Sequence, residues 1–147
     1  SDLVNKLAFG AYTRKITDKV SEYDWISRDP EIVSTYEKDP KCNFIFTLNG
    51  FENLAKLLWY VSNEKWFSTY PKTLPTYLIA GSADPVGNYG KGVLNVFNRL
   101  SLNGCDVEMK IYENARHELV NETNRREVYN DIADFLLDII SSEMCSD

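Results

Sequence analysis

Several residue types are scarce in this chain, and each scarcity closes off a class of protein. Seven Gly and five Pro among 147 residues are too few for a collagen-like, repetitive or low-complexity chain. No apolar run reaches the ~18 residues that a membrane-spanning helix needs, and no signal-like leader opens the sequence. Basic residues are outnumbered, 16 Lys and Arg against 22 Asp and Glu, and the net charge of −6 opposes a generic affinity for nucleic acid or anionic lipid. Cysteine is limited to Cys42, Cys105 and Cys145, an odd number with no Cys-x-x-Cys pair. Free thiols in a reducing cytoplasm are the expectation. Histidine occurs once, at His117.

What is present fits one ordinary globular domain, with 44% hydrophobic and 26% charged residues. Most of the aromatics, including Trp25, Trp59 and Trp66, fall in the first seventy residues, which show no alternating strand–helix pattern. Leu54, Leu57, Leu58 and Val61 sit at i, i+3, i+4 and i+7 and predict an amphipathic helix over 51–62. Asp29-Pro30-Glu31 reads as an N-cap with Pro in the first turn, opening a helix that stops before Pro40. Leu3, Leu7 and Ala8 suggest a short opening helix. Residues 1–73 thus read as a small, aromatic-rich helical unit.

Residues 74–147 have a different grammar. The apolar run 76–80 lies between Pro75 and Gly81 and predicts a strand buried on both faces, as in a parallel sheet. Val93, Val96, Phe97 and Leu100 mark a helix that Asn103-Gly104 stops. Over 107–112, Val107, Met109 and Ile111 alternate with Glu108 and Lys110, a pattern suited to a strand near a sheet edge. Asn124 with Glu127 has capping-box spacing, ahead of a closing stripe of Val128, Ile132, Phe135, Leu136 and Ile139. The predicted order is β-α-β-α, with two parallel strands joined by a right-handed crossover.

A parallel strand delivers the residues after it to the carboxyl edge of the sheet, where open α/β folds place their sites. The first strand delivers Asp84 there and the second delivers His117. A carboxylate meeting imidazole Nδ1–H fixes the tautomer and stabilises the imidazolium formed when Nε2 takes a proton. The ordinary imidazole pKa of ~6.5 suits that exchange. Spacing alone leaves other readings open: Asp84-Pro85 also fits a helix cap, and a lone loop histidine also fits a solvated side chain.

Two segments, Gly81-Ser82-Ala83-Asp84-Pro85-Val86-Gly87 and then Ala115-Arg116-His117-Glu118, together resemble the C-terminal half of α/β-hydrolases of the monoacylglycerol lipase and lysophospholipase type, the serine aminopeptidase-like hydrolases. Phe9-Gly10, Trp25-Ile26-Ser27-Arg28-Asp29 and Phe44-Ile45-Phe46-Thr47 resemble that family's cap. The resemblance implies a partial α/β-hydrolase fold, with 1–73 as cap and 74–147 as the core segment carrying a triad acid, Asp84, and base, His117. It also implies a small ester or monoacyl lipid as substrate, no metal or organic cofactor, and cap aromatics lining an acyl groove. Trp59, Trp66 and Phe67 are the candidates named for that groove.

The sequence departs from the family pattern in two respects, and the first is the family's His-Gly oxyanion segment, absent because His117 is the only histidine. The triad runs Ser, Asp, His along such chains, with the serine in a Gly-x-Ser-x-Gly elbow, and no such motif occurs here. Ser82 lacks the flanking glycines and stands too close to Asp84 to serve. The nucleophile, the oxyanion hole and the first five or six strands are therefore expected upstream of Ser1, whose missing initiator Met suggests a cut or engineered start. Expected partners are the missing N-terminal half or a second copy of this chain. The alternative expectation is a non-catalytic fragment that persists by such association.

Overall fold

A computed structural model describes residues 2–144. The helical N-terminal part comprises α1 (Asp2–Phe9), α2 (Pro30–Lys38), α3 (Leu48–Val61) and α4 (Glu64–Thr69). The second unit comprises β1 (Thr76–Gly81), α5 (Lys91–Leu102), β2 (Val107–Tyr112), a single 3-10 turn (Leu119–Asn121) and α6 (Arg125–Met144). The two strands pair in parallel, Thr76 opposite Val107 and Gly81 opposite Tyr112. The predicted β-α-β-α order is therefore the observed one.

Local chemistry explains most boundaries. Asp29 caps α2 by accepting from the Glu31 amide at 3.0 Å, with Pro30 in the first turn. The helix expected over 51–62 starts three residues earlier, because the Thr47 hydroxyl caps it by accepting from the Gly50 amide. Helix α4 escapes a periodicity reading because its six residues span fewer than two turns; Asn63 caps it. At the other end of α5, Gly104 adopts φ +74°, the left-handed conformation that glycine enters without a Cβ penalty.

Three expectations change in detail. Strand β1 is half-buried along most of its length, with only Ala80 and Gly81 buried, because one of its edges carries no partner strand. The charges alternating along β2 do not all face water: Lys110 reaches Asp131 at 2.6 Å and Glu127 at 3.0 Å, both on α6. The Tyr112 hydroxyl donates to the same Asp131 at 2.6 Å. In the closing stripe Val128 is buried but Leu136 is exposed. Asn124 and Glu127 do bond, through Asn124 Nδ2 and Glu127 Oε2 at 3.0 Å, while Asn124 Oδ1 accepts from Arg28 instead of capping the helix.

The core joins Tyr112, Ala115, Leu119 and Val128, with Ile79 and Ile132 packed against it. The loop after β2 thereby belongs to the core. The N-terminal helices are less well covered: α3 buries Phe51, yet Leu57, Leu58 and Trp59 on it are exposed. Cys42 and Cys105 are free thiols, and Cys145 lies outside the described residues. Among the described residues no helix is long and apolar enough to cross a membrane.

At the end of β1 the backbone is packed too tightly for any side chain. A Cβ on Gly81 would lie 2.1 Å from the Ala115 carbonyl oxygen and 2.4 Å from that of Arg116. Gly81→Ala is expected to lower stability by about 2 kcal/mol or more, through overpacking against backbone that cannot swing aside. Gly104→Ala meets open space and carries only the left-handed strain of about 1 kcal/mol. Urea denaturation of the two variants beside the parent checks the contrast.

Candidate active site

Asp84 and His117 leave adjacent strands at the same edge of the sheet. The chain turns sharply after β1, with Ser82 N donating to Tyr112 O and Ala83 N to Ala115 O, both at 2.9 Å. These bonds tie the start of the Asp84 loop to the loop after β2. The Ser82 hydroxyl accepts from the Asn114 amide at 2.7 Å, which supports the left-handed Asn114. That is a structural task.

The Asp84 carboxylate is held on both oxygens. Oδ1 accepts from the Val86 amide at 2.8 Å, and Oδ2 lies 3.1 Å from His117 Nδ1. Gly87 makes room for this arrangement, since a Cβ there would stand 3.2 Å from Oδ2. The Tyr89 amide donates to the Asp84 carbonyl at 2.7 Å and closes the loop. An ionised carboxylate can only accept, so in the neutral ring Nδ1 carries the proton and Nε2 keeps a lone pair. Asp84 is buried, whereas the His117 side chain is 40% exposed, which leaves room for a proton donor to approach.

The bond to Asp84 raises the imidazole pKa above its ordinary value, partial burial opposes the shift, and the charges of Asp84 and Glu118 reinforce it. The Tyr12 phenol is also held above its usual range, first by burial and then by the Asp84 charge, so it stays protonated.

The N-terminal helical part supplies the remaining walls. Trp25 packs on the His117 ring at 5.3 Å between centroids, and Tyr12 meets Trp25 edge-on at 5.1 Å. The backbone joins them too, with His117 N donating to Trp25 O at 3.3 Å and Glu118 N to Ile26 O at 2.8 Å. Trp25 also lines a groove of about 590 Å³ with Phe9, Tyr36, Phe44, Ile45 and Phe46. A second cavity, of about 690 Å³, is edged by charged groups including Lys15, Asp18, Arg28 and Arg116.

The structure thus brings Asp84 and His117 together and sets the other three named candidates apart from them. Phe67 is buried beneath the Arg99 guanidinium of α5, 4.7 Å from the ring centroid. Trp66 packs edge-on against Phe67 at 4.8 Å, and Trp59 is 77% exposed. None of the three lines the aromatic groove. Sequence reasoning placed Trp25 in the cap but did not see its contact with His117, and it gave Tyr12 no part in the site. The contact between Trp25 and His117 spans 92 positions, and no local spacing reports such a pair. Among the described residues no cluster of His, Cys, Asp and Glu could hold a metal ion.

A buried carboxylate bonded to a solvent-reachable imidazole, at the carboxyl ends of neighbouring parallel strands, has the geometry in which an acid orients a histidine for proton transfer. The serine aminopeptidase S33 family matches residues 3–124, and the chain belongs to that family. Among solved structures it is similar to a highly thermostable carboxyl esterase from Bacillus coagulans, crystallised with glycerol. Identity to that esterase is 30% and the TM-score 0.82, over 97% of this chain and 46% of the esterase. It is also similar to a lipase in its open form, at 29% identity and TM-score 0.78, over 92% of this chain and 44% of the lipase. The chain therefore spans less than half the length of either protein. No curated protein gives a significant match.

Because the folded chain favours the imidazolium, His117 adds stability that is whole below its ordinary pKa of ~6.5 and is lost as pH rises through the raised folded value. Urea unfolding between about pH 6 and about pH 8 is expected to show stability falling with pH. Asp84→Asn is expected to flatten that slope and to bring the His117 titration, followed by NMR, down toward the ordinary value.

Proposed function

We propose that this chain is the cap and acid–base part of a serine hydrolase that cleaves carboxylic esters of monoacyl lipids, either monoacylglycerols or lysophospholipids. The observation that carries the reading is the 3.1 Å contact between His117 Nδ1 and Asp84 Oδ2 beneath Trp25, the residue that leads into the aromatic groove.

In the proposed reaction a serine hydroxyl attacks the ester carbonyl while His117 Nε2 takes its proton. Asp84 holds the ring and offsets the charge of the imidazolium. The imidazolium then protonates the departing alcohol as the acyl–oxygen bond breaks, leaving an acyl-serine. Water attacks that ester with His117 again as base, the acid leaves, and the serine regains its proton. The nucleophile and oxyanion donors come from an N-terminal half outside this sequence, so the isolated chain is inactive. Loss of an oxyanion donor alone costs about 100- to 1,000-fold.

Lipid selectivity falls to the groove, where Phe44, Ile45 and Phe46 are partly exposed and free to take an acyl chain. Trp59 and Trp66 enter the same proposal as acyl contacts at the open cap face, with Phe67 seating Trp66. Unpaired Cys42 and Cys105 fit a reducing cytoplasm. One observation favours the second reading, a non-catalytic product held together by association with the missing half or a second copy. Leu57, Leu58 and Trp59 on α3 and Leu136, Leu137 and Ile140 on α6 are exposed and apolar.

A fluorophosphonate probe separates the readings. No serine of the chain alone should label, and the elbow serine of a co-expressed N-terminal half should label and turn over ester. Labelling of the chain by itself, or full activity after His117→Ala in the assembled enzyme, would overturn the proposal. In that enzyme, replacing Phe44 and Phe46 by Ser should lower kcat/KM for a long-chain monoacylglycerol by about 10-fold or more while sparing an acetate ester, because about 1.5–3 kcal/mol is at stake for each buried aromatic.

A further inference from the structure

The site's own chemistry leaves the most deeply buried carboxylate of the described residues unused. Glu122, five residues beyond His117, is fully enclosed. A carboxylate in that position destabilises the chain unless every lone pair is matched. Its partners come from both sides of the site. Oε1 accepts from the Arg116 amide at 2.8 Å, one residue before His117, and from the Arg28 amide at 3.1 Å, at the entrance to α2. Oε2 accepts from Arg28 Nε at 2.9 Å and from the Thr123 amide at 2.8 Å.

The surroundings repeat the link. Arg116 Nη1 donates to the carbonyls of Asp24 at 2.7 Å and Ser27 at 3.0 Å. The Ser27 hydroxyl donates to Asn121 O at 2.8 Å, and Arg28 Nη2 to Asn124 Oδ1 at 2.7 Å. Segments 24–28 and 116–124 are thereby one hydrogen-bonded piece, nearly a hundred positions apart in sequence. His117 sits inside it, with Trp25 on its ring. An apolar side chain of equal volume would fill the space as well, but it could not accept from two backbone N–H groups on opposite segments.

We propose that Glu122 is a positioning residue for His117. Its carboxylate fixes the peptide before the histidine against the cap segment that bears Trp25, and so aims Nδ1 at Asp84. Glu122 touches no reacting atom, and its part in catalysis rests on His117 being the general base. The alignment itself is a property of the folded chain and can be read without substrate.

The test is the tautomer of neutral His117, read from imidazole 15N shifts in the labelled chain above its titration. The parent should hold the Nδ1–H form. Glu122→Gln places an amide N–H among N–H donors, and the Nδ1–H fraction should fall at least ~2-fold. Arg28→Lys keeps the net charge but loses the Nε contact, and should shift the tautomer in the same direction. Leu100→Val on α5 gives a loss of stability without a shift. An unchanged tautomer in Glu122→Gln overturns the inference; if that variant does not fold, an unchanged tautomer in Arg28→Lys does so. Asp84→Asn separates the two levels. If Asp84→Asn moves the tautomer and the Glu122 and Arg28 variants do not, only the positioning role falls. If Asp84→Asn does not move it either, the acid–base pairing falls as well.

Discussion

Two stretches of backbone approach more closely at the end of β1 than any side chain would permit, and the site exists because of it. With no Cβ on Gly81, the carbonyls of Ala115 and Arg116 come down onto the strand end. Ala83 N then bonds Ala115 O, and the loops carrying Asp84 and His117 share one edge of the sheet. Backbone sets this alignment, which makes it stiff. A pair of side chains reaching across a wider gap would lose rotamer freedom to meet, and the bond would be correspondingly weaker.

The segment 24–28 is bound into the same arrangement. Trp25 and Ile26 accept backbone hydrogen bonds from the loop that holds the histidine, and Trp25 shields the imidazole from one side while opening the aromatic groove on the other. The helical N-terminal part and the strand-bearing part are distinct in composition, yet residues 24–28 bond into the loop system after β2. The long helix α3 is the opposite case, its apolar residues largely in water. An edge of β1 without a partner strand has the same character, as expected for a chain that spans less than half of the esterase and lipase it is similar to.

The secondary structure was largely legible because each long element carries its own period and punctuation. The Asp29 cap, the Gly104 stop and the alternation along Val107–Tyr112 each report a local preference that tertiary packing did not override. The misreadings share a cause. Helix α4 is too short to show a period, and the burial of β1 depends on what lies beside it. A stripe of leucines declares that a face is apolar; it does not say whether this chain covers it. Lys110 on β2 looked like edge protection and proved to be the inner half of ion pairs with α6, while Glu108 stays exposed.

By itself the sequence determined the order of elements and the delivery of one acid and one imidazole to the ends of successive strands. Those follow from periodicities and turn residues within a dozen positions. Only the tertiary structure decided that Asp84 Oδ2 meets His117 Nδ1, that Trp25 covers the ring, and that Glu122 is sealed between Arg28 and Arg116. The reason is physical: each of these contacts joins groups distant along the chain, through hydrogen bonds and ring contacts that exist only once the backbone has closed around them.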